Sequence, residues 1–280
     1  RGGFSRLSTT PLKGTSLRLD GSNDYLRIKN VTGFAPSQKL YFGIGIVLHS
    51  RPVSGTPRTV ISWGYGAAGN LFFDLRYDST AGTGGLGAWI ARVRDSFAGA
   101  TITATLDYGD GTDSIVGQYR YLEFNSATLD ATLTMWDADG NDTSTTTGSG
   151  VTTYNYSAGQ DIFVGVGTTA TNVIGTDFID ATLCELRYAW GNQSVLALLC
   201  STSNLYYKRE LPPSVIGSNL AGGYWRLNDG GLSPLCEDLG PNGSDALIVN
   251  NPATWLLKSD ESDVLGESAV QFLGGNSWVS

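Results

Sequence analysis

The segment GTSLRLDGSNDYLRI, residues 14–28, contains the pattern that decides the fold. Leu17 and Leu19 alternate with polar residues, a turn rich in Gly, Asn and Asp follows, and Tyr25 and Ile28 lie in a second apolar run. Alternation with a period of two is typical of a strand with one buried face. The segment therefore predicts a strand, a tight turn and a second strand.

The same alternation recurs along most of the chain. Turn residues separate nearly all of the further apolar runs, which cover residues 40–48, 59–63, 70–77, 85–93, 102–106, 119–124, 131–136, 161–166 and 178–190. Glycine supplies 37 of the 280 residues, nearly twice its usual share of about 7%. A helical period is convincing only over 193–203. The sequence therefore predicts an all-β fold, an antiparallel two-sheet sandwich of the jelly-roll type with one short helix.

The charge and the length of the apolar stretches exclude two classes of partner. The 18 Lys and Arg residues against 26 Asp and Glu leave a net charge of -8, whereas binding to a phosphate backbone requires a basic surface. The longest apolar stretches, 41–48 and 195–200, are far shorter than the roughly 18 residues of a membrane span. We therefore expect neither a nucleic-acid partner nor membrane insertion.

Cysteine and histidine are scarce. Cys184, Cys200 and Cys236 have no CxxC spacing, and their odd number leaves at least one thiol without a disulfide. The sequence therefore predicts neither a zinc site nor a disulfide framework, and at most one structural bridge. His49 is the only histidine and lies in an apolar run, which favours a packed or edge histidine over a member of a Ser-His-Asp triad.

Three segments carry a resemblance to a known family. Residues 14–28 are similar to its opening strand pair, and YLEFNSATLDATLTMWDADG (121–140) is similar to its long central hairpin. DIFVGVG (161–167) and FIDATLCELRYAWGNQSVLALL (178–199) resemble its Ile-Gly strand, its closing strand and its short terminal helix, although Cys184 stands where the pattern has aspartate. The family is the laminin-G-like domain of the concanavalin A-like lectin and glucanase superfamily. The resemblance implies a concanavalin A-like sandwich over most of the chain.

The chain divides into four parts. They are an N-terminal arm (1–13), a laminin-G-like sandwich (14–208), a linker marked by Pro212 and Pro213 (209–221) and a C-terminal strand segment (222–280). Residues 269–280, AVQFLGGNSWVS, repeat the pattern of residues 16–27. Because about 60 residues rarely form a second sandwich alone, we expect residues 222–280 either to complete the first sandwich or to pair with a neighbouring subunit.

The resemblance also implies a test for catalysis. The glucanase branch of the superfamily places paired carboxylates on one strand face in a Glu-x-Asp-x-Glu pattern. The nearest run in this chain, residues 261–267, has a different spacing and lies in a polar segment. No phosphate-binding loop, Gly-x-Ser-x-Gly elbow or metalloprotease helix is present in the sequence either. The sequence therefore predicts that the protein is not an enzyme.

Aromatic residues near loops are candidates for stacking on the apolar face of a sugar. They are Trp63, Tyr65, Tyr108 and Trp136. Each of them is also suited to filling the space between two sheets, and this alternative remains open at the level of sequence.

Two acidic loops are candidate calcium sites, because Ca²⁺ prefers several oxygen ligands. In the family that the chain resembles, the ligand-binding edge often carries calcium. This resemblance implies that the calcium ligands in the first loop are Asp20, Asn23 or Asp24. The second loop, DYGDGTD, contributes three carboxylates: Asp107, Asp110 and Asp113. A plain turn explains both loops as well, and no other cofactor is indicated.

The function that the sequence favours is a non-catalytic structural or binding protein on the surface of a large assembly. The resemblance and the single short module favour a virion protein (capsid decoration, tail or fibre) with a glycan attachment role. Its expected partners are copies of itself, other structural proteins of the assembly and a host-surface glycan, and its expected location is the virion surface. The alternative is a bacterial secreted or cell-surface adhesion module that binds carbohydrate. The 13 arginines against 5 lysines suit interfaces, because the guanidinium group bonds bidentately.

Overall fold

The computed structural model describes residues 15–31, 39–66, 70–94, 101–107, 116–126, 130–136, 141–147, 160–170, 173–191, 222–227, 234–240, 243–249 and 254–257. The strands in the first half are β1 (Thr15–Asp20), β2 (Tyr25–Val31), β3 (Lys39–Leu48), β4 (Arg58–Gly66), β5 (Asn70–Asp78), β6 (Ala88–Arg94), β7 (Thr101–Asp107), β8 (Tyr119–Ser126) and β9 (Asp130–Trp136). The later strands are β10 (Asn141–Thr147), β11 (Gln160–Val164), β12 (Thr168–Ala170), β13 (Val173–Ile174), β14 (Asp180–Gly191), β15 (Gly222–Trp225), β16 (Leu235–Cys236), β17 (Ala246–Val249) and β18 (Thr254–Leu257).

Two large antiparallel sheets form the sandwich. Sheet A has the order β10-β9-β8-β3-β14-β1-β18, with β15 also paired to β14. Sheet B has the order β16-β17-β2-β11-β4-β5-β6-β7, and β12 and β13 form a separate small hairpin. The predicted all-β, two-sheet sandwich is confirmed. The predicted helix over 193–203 lies outside the described residues.

The two strands of the opening segment belong to different sheets. β1 pairs with β14 and β18 in sheet A, whereas β2 pairs with β11 and β17 in sheet B. Gly21, with a φ of 77°, turns the chain between them, and a Cβ at this position would lie 2.9 Å from the Cβ of Asp180. The predicted strand, turn and strand are confirmed, and the two strands do not pair with each other, because each pairs with a distant segment instead.

Side chains from both sheets meet in one core. Leu17 of β1 and Leu26 of β2 are fully buried in it, as the alternation in the sequence indicates. Phe42 from sheet A stacks on Phe73 from sheet B with ring centroids 4.3 Å apart. Stacked aromatic pairs of this kind contribute about 0.5–1.5 kcal/mol beyond the area that they bury.

The C-terminal strands complete both sheets within the chain. β15 and β18 join sheet A, and β16 and β17 extend sheet B. Trp225, Leu227 and Ile248 from this part are buried in the common core. The described strands of residues 222–257 therefore pair in cis. The arm 1–13, the linker 209–221 and the repeat 269–280 lie outside the described residues.

The histidine and two of the cysteines are packed inside the sandwich or at its edge. The Nε2 atom of His49 lies 2.7 Å from the hydroxyl of Thr182. Cys184 and Cys236 are both buried thiols, and no disulfide joins them. Cys200 lies outside the described residues.

Candidate functional site

A polar groove of about 320 Å³ crosses the outer face of sheet B. Ser62 of β4, Asp74 of β5 and Arg92 of β6 are cross-strand neighbours and therefore lie on the same side of the sheet, where they form the floor. Trp63 and Phe73, the next partners along β4 and β5, belong to the core on the opposite side. The alternation along these strands thus places a polar row on the face of sheet B that points away from the core.

Arg92 and Asp74 form a bidentate ion pair on the groove floor. Arg92 donates from Nε to Oδ1 and from Nη2 to Oδ2 of Asp74, both at 2.7 Å. The side chain of Asp74 is buried, whereas that of Arg92 is 35% exposed. Burial alone would lower the pKa of Arg92, but the hydrogen bonds and the charge of Asp74 outweigh this effect and raise the pKa. Both carboxylate oxygens of Asp74 are therefore already occupied.

The β12–β13 hairpin and the loop after it form the opposite wall. Asp177 fastens this wall to the sheet, because its Oδ1 accepts a hydrogen bond from the Gly167 N–H at 2.9 Å and its Oδ2 accepts one from the Thr59 hydroxyl. The Thr59 N–H also donates to the carbonyl of Asp177 at 3.3 Å. A Cβ at position 167 would lie 2.5 Å from Asp177 Oδ2, so a larger residue here would displace the Asp177 carboxylate.

An apolar cluster anchors the same hairpin beside the groove. Tyr25, Phe163 and Val166 are buried together, with Ile174 and Phe178 packed against them. The ring centroid of Tyr25 lies 6.0 Å from that of Phe163 and 6.4 Å from that of Phe178. The wall is therefore held by apolar packing and by the Asp177 contacts, as expected of a largely preformed binding site.

Two polar groups that line the groove have no hydrogen-bond partner among the described residues. They are Nε of Arg76 and Oγ1 of Thr168, both buried atoms. The ion-pair contact of Arg76 with Asp74 Oδ2 measures 3.9 Å, which is too long for a hydrogen bond. Buried polar atoms in proteins normally have a partner. A polar ligand or a water molecule at these two atoms would supply the missing bonds.

A smaller pocket of about 170 Å³ lies at one end of the sandwich. It is lined by Asp20, Gly21, Ser50, Arg51, Pro52, Val53, Arg58, Phe178, Ile179 and Asp180. Asp180 forms an ion pair with Arg18, and Asp20 accepts a hydrogen bond from the Ser22 N–H at 2.8 Å. This pocket has about half the volume of the groove on sheet B, so the groove is the stronger candidate site.

A second polar cluster, on the outer face of sheet A, is closed to solvent. Arg187 donates to Oε2 of Glu185 from Nε at 3.1 Å and from Nη2 at 2.6 Å, and Tyr224 donates to Oε1 of Glu185 at 2.6 Å. Burial alone would lower the pKa of Arg187, but Tyr121 and Glu185 beside it outweigh burial and raise it. Each of these four side chains is at most 1% exposed. The cluster therefore stabilises the fold and offers no access to a ligand.

The two aromatic candidates whose side chains the structure describes, Trp63 and Trp136, lie apart, one in the core and one on the outer face of sheet A. Trp63 is 1% exposed and packs in the core, with its ring centroid 4.7 Å from that of Phe72. The structure thus corrects the stacking role predicted for Trp63, because the ring fills the space between the sheets. Trp136 is half-buried at the end of β9 and packs on the outer face of sheet A. The side chain of Tyr65 and the whole of Tyr108 lie outside the described residues.

The first predicted calcium loop is a turn with two adjacent carboxylates. The loop joins β1 to β2: Asp20 is the last residue of β1, and Asn23 and Asp24 precede β2. Asp24 Oδ2 accepts a hydrogen bond from the Asp20 N–H at 3.3 Å. Burial and the charge of Asp20 raise the pKa of Asp24. In the second loop Asp107 ends β7, whereas Asp110 and Asp113 lie outside the described residues. In the described ranges, no group of three or more His, Cys, Asp or Glu residues is arranged to hold a metal ion. Calcium binding stays a prediction for both loops.

The sequence analysis missed the groove residues Asp74, Arg76, Arg92 and Asp177. A usable signal was present in FFDLRYD (72–78) and IARVR (90–94), where charged residues alternate with apolar ones. Charged side chains spaced two apart on a strand lie on one face, away from the core. Asp177 carries no such signal, because it lies in a loop and its partner Thr59 is 118 residues away.

The comparisons with known proteins show the fold. No protein-family model matches the chain, and no curated protein matches its sequence. A Bacteroides ovatus protein described as a candidate carbohydrate-binding protein is similar in structure, with a TM-score of 0.54 and 10% identity over 86% of this chain and 59% of that chain. The enzymatically active domain of tailspike protein 2 from bacteriophage CBA120 has a TM-score of 0.50 and 11% identity over 83% of this chain and 35% of that chain. Domains LG4-5 of the mouse laminin alpha1 chain have a TM-score of 0.46 and 15% identity over 63% of this chain and 41% of that chain.

These likenesses correct the prediction that the protein is not an enzyme. That prediction is wrong, because it rested on the motifs of one glucanase branch, whereas the fold is shared with a tailspike domain that is enzymatically active. At these identities the likeness shows the fold alone. The chain spans 59% and 35% of the lengths of the bacterial protein and the tailspike domain. It has the concanavalin A-like jelly-roll fold that the resemblance to laminin-G-like domains implied.

Proposed function

We propose that the chain binds carbohydrate in the groove on sheet B and is displayed on the surface of a large assembly, in the first instance a virion. The observation that carries this proposal is a pair of polar atoms without a hydrogen-bond partner among the described residues, Arg76 Nε and Thr168 Oγ1, in a groove whose wall is fixed. Sugars present many hydroxyl groups, and a preformed site with a few convergent polar groups suits them. Thr169 and Thr176 line the same groove and add hydroxyl partners.

Display on a virion is supported by the fold shared with a bacteriophage tailspike domain. The bacterial alternative, a secreted or cell-surface adhesion module, is supported by the likeness to the Bacteroides ovatus protein. Both uses require the groove to face outward, and both place the protein outside the cell. No helix within the described ranges has the length and apolar character to cross a membrane.

Filling the groove tests the proposal. Thr169 is exposed and lines the groove, so the substitution Thr169→Trp inserts a large ring into it. Val173 is 51% exposed on the same hairpin but does not line the groove, so Val173→Trp is the matched control. The wild type and both variants are compared on an array of bacterial surface polysaccharides and host glycans, with melting temperatures to verify folding.

We expect wild type and Val173→Trp to bind the same glycans and Thr169→Trp to bind none of them. Equal binding by all three proteins would place the carbohydrate site elsewhere. Absence of binding by the wild type to the whole array would refute carbohydrate binding. The same incubations are analysed for shortened oligosaccharides, which would reveal cleavage of the bound chain.

A further inference from the structure

We propose that Arg76 recognises the carboxylate group of an acidic sugar, so that the groove selects uronate-containing polysaccharides. The inference rests on the proposed carbohydrate-binding function and names the class of ligand. It starts from the state of this guanidinium group, which is 24% exposed at the groove and has a buried Nε atom.

The neighbours of Arg76 leave its donors unused. Asp74 and Asp78 lie two residues before and after it on the same face of β5, and each accepts hydrogen bonds from another residue. Arg92 holds both oxygens of Asp74. Thr80 donates to Oδ1 of Asp78 from its N–H at 2.9 Å and from its hydroxyl at 2.7 Å. The Arg76 side chain makes no hydrogen bond to any described residue and keeps the 3.9 Å ion-pair contact with Asp74. Burial alone would raise the pKa of Asp78, but the hydrogen bonds from Thr80 and the charge of Arg76 lower it.

The chemistry of a guanidinium group favours a carboxylate as the missing partner. Arginine presents five N–H donors in a planar fork, and a carboxylate accepts two of them in parallel. Such charge-assisted bonds are about twice as strong as hydrogen bonds between two neutral groups, and the carboxylate adds its own charge and a second parallel bond. A uronate sugar supplies a carboxylate for Arg76 and a hydroxyl group for Thr168 Oγ1, which has no hydrogen-bond partner among the described residues.

The charges of the groove are compatible with an anionic ligand. Its charged lining residues are Arg76, Arg92, Asp74 and Asp177, whose formal charges cancel, whereas the whole chain carries -8. Both oxygens of Asp177 accept hydrogen bonds within the protein, one from the Gly167 N–H and one from the Thr59 hydroxyl of β4. None of the lining residues is aromatic, so the described groove recognises a sugar through polar contacts and not through ring stacking.

The test uses polygalacturonate and polymannuronate, each beside the same polymer after its carboxyl groups are reduced to alcohols. Reduction removes the charge and keeps the sugar backbone, so each pair of polymers isolates the carboxylate. Binding to the full chain is measured by affinity electrophoresis for wild type, Arg76→Met and Arg76→Lys. Arg51→Met is the control, because Arg51 donates to the Leu86 carbonyl at the end of the sandwich and does not line the groove.

We expect wild type and Arg51→Met to bind at least one polyuronate, and reduction of that polymer to weaken binding by about tenfold or more. Arg76→Met is expected to bind the unreduced polyuronate about tenfold more weakly than wild type does. Arg76→Lys keeps the positive charge but not the planar arrangement of donors, so its binding is expected to lie between those of wild type and Arg76→Met. If Arg76→Met does not fold, Arg76→Lys decides the outcome.

Equal binding of the reduced and unreduced polymers by the wild type would overturn the role of Arg76 and leave carbohydrate binding intact. If the wild type binds neutral glycans on the array but neither polyuronate, the role of Arg76 is overturned and carbohydrate binding again stands. Failure to bind any polysaccharide would overturn both proposals.

Discussion

Replacing Arg187 with methionine tests whether the closed cluster on sheet A holds the sandwich together. Arg187 and Glu185 are 1% and 0% exposed and are joined by two hydrogen bonds. Removing one partner of a buried ion pair leaves an uncompensated charge and costs about 3–5 kcal/mol of stability. We therefore expect Arg187→Met to lower the free energy of unfolding by about this amount, measured by urea denaturation at neutral pH.

Two further variants separate the loss of the ion pair from other effects of the substitution. The double variant Glu185→Gln with Arg187→Met removes both charges and keeps an acceptor for the Tyr224 hydroxyl, which donates to Oε1 of Glu185 at 2.6 Å. It is expected to be more stable than Arg187→Met alone. Arg18→Met breaks the pair with Asp180, whose two side chains are 22% and 25% exposed, and is expected to cost at most about 1 kcal/mol. The reasoning is refuted if Arg187→Met costs less than about 1 kcal/mol, or if the double variant is no more stable than the single one.

A chain truncated after Ala221 is expected to be unfolded, because it lacks β15 to β18, which contribute strands to both sheets; circular dichroism and light scattering measure this, and a folded monomer would contradict pairing in cis. Asp24→Asn is expected to gain stability relative to wild type between about pH 4 and about pH 7. Burial and the charge of Asp20 raise the pKa of Asp24, so the folded wild type binds the proton more tightly than the unfolded chain does. The wild type therefore loses stability as the pH rises, whereas the asparagine side chain of the variant does not titrate. If the free energies of unfolding in urea differ between variant and wild type by the same amount at both pH values, this reasoning is disproved. Gly45→Ala is expected to destabilise by about 1–3 kcal/mol, because its Cβ would lie 2.7 Å from Cys184 Sγ and 2.8 Å from Tyr119 Oη; a melting temperature equal to that of wild type would show that this face is loosely packed.

The strands could be predicted because their signal is local. A period of two in the apolar residues is visible within one segment, and each predicted run overlaps a strand of the structure. β10, with the sequence NDTSTTT, has no apolar residue and therefore gave no such signal. Whether β1 and β2 pair with each other is not a local property. Their partners, such as β14 for β1 and β17 for β2, come from distant parts of the chain.

The site was harder to predict than the fold, because its residues meet only through tertiary structure. Because Trp63 is an aromatic residue near a predicted loop, the sequence favoured it for stacking on a sugar. In the structure it is the cross-strand partner of Phe73 in β5, and both side chains belong to the core. The charged residues of β5 and β6 were visible in the sequence, but their use depends on the wall that Asp177 fastens to Thr59 across 118 residues. Alternation could have assigned Arg76 to the outer face, whereas the groove itself required the structure.

The two outer faces of the sandwich show which property separates a structural cluster from a binding site. Both carry arginine, carboxylate and hydroxyl groups, so residue type alone does not distinguish them. On sheet A the donors of Arg187 are directed at Glu185, and the surrounding side chains are excluded from solvent. On sheet B Arg76 has no hydrogen bond to any described residue and lies in an open groove. Because a buried polar atom without a partner costs roughly 1–3 kcal/mol, an arrangement that keeps Arg76 and Thr168 unsatisfied is destabilising unless a ligand or water supplies the missing bonds. Buried atoms without a hydrogen-bond partner among the described residues occur on both sheets, among them Asn125 Oδ1 of sheet A. It is their combination with an open groove that makes the outer face of sheet B the stronger candidate for contact with a ligand.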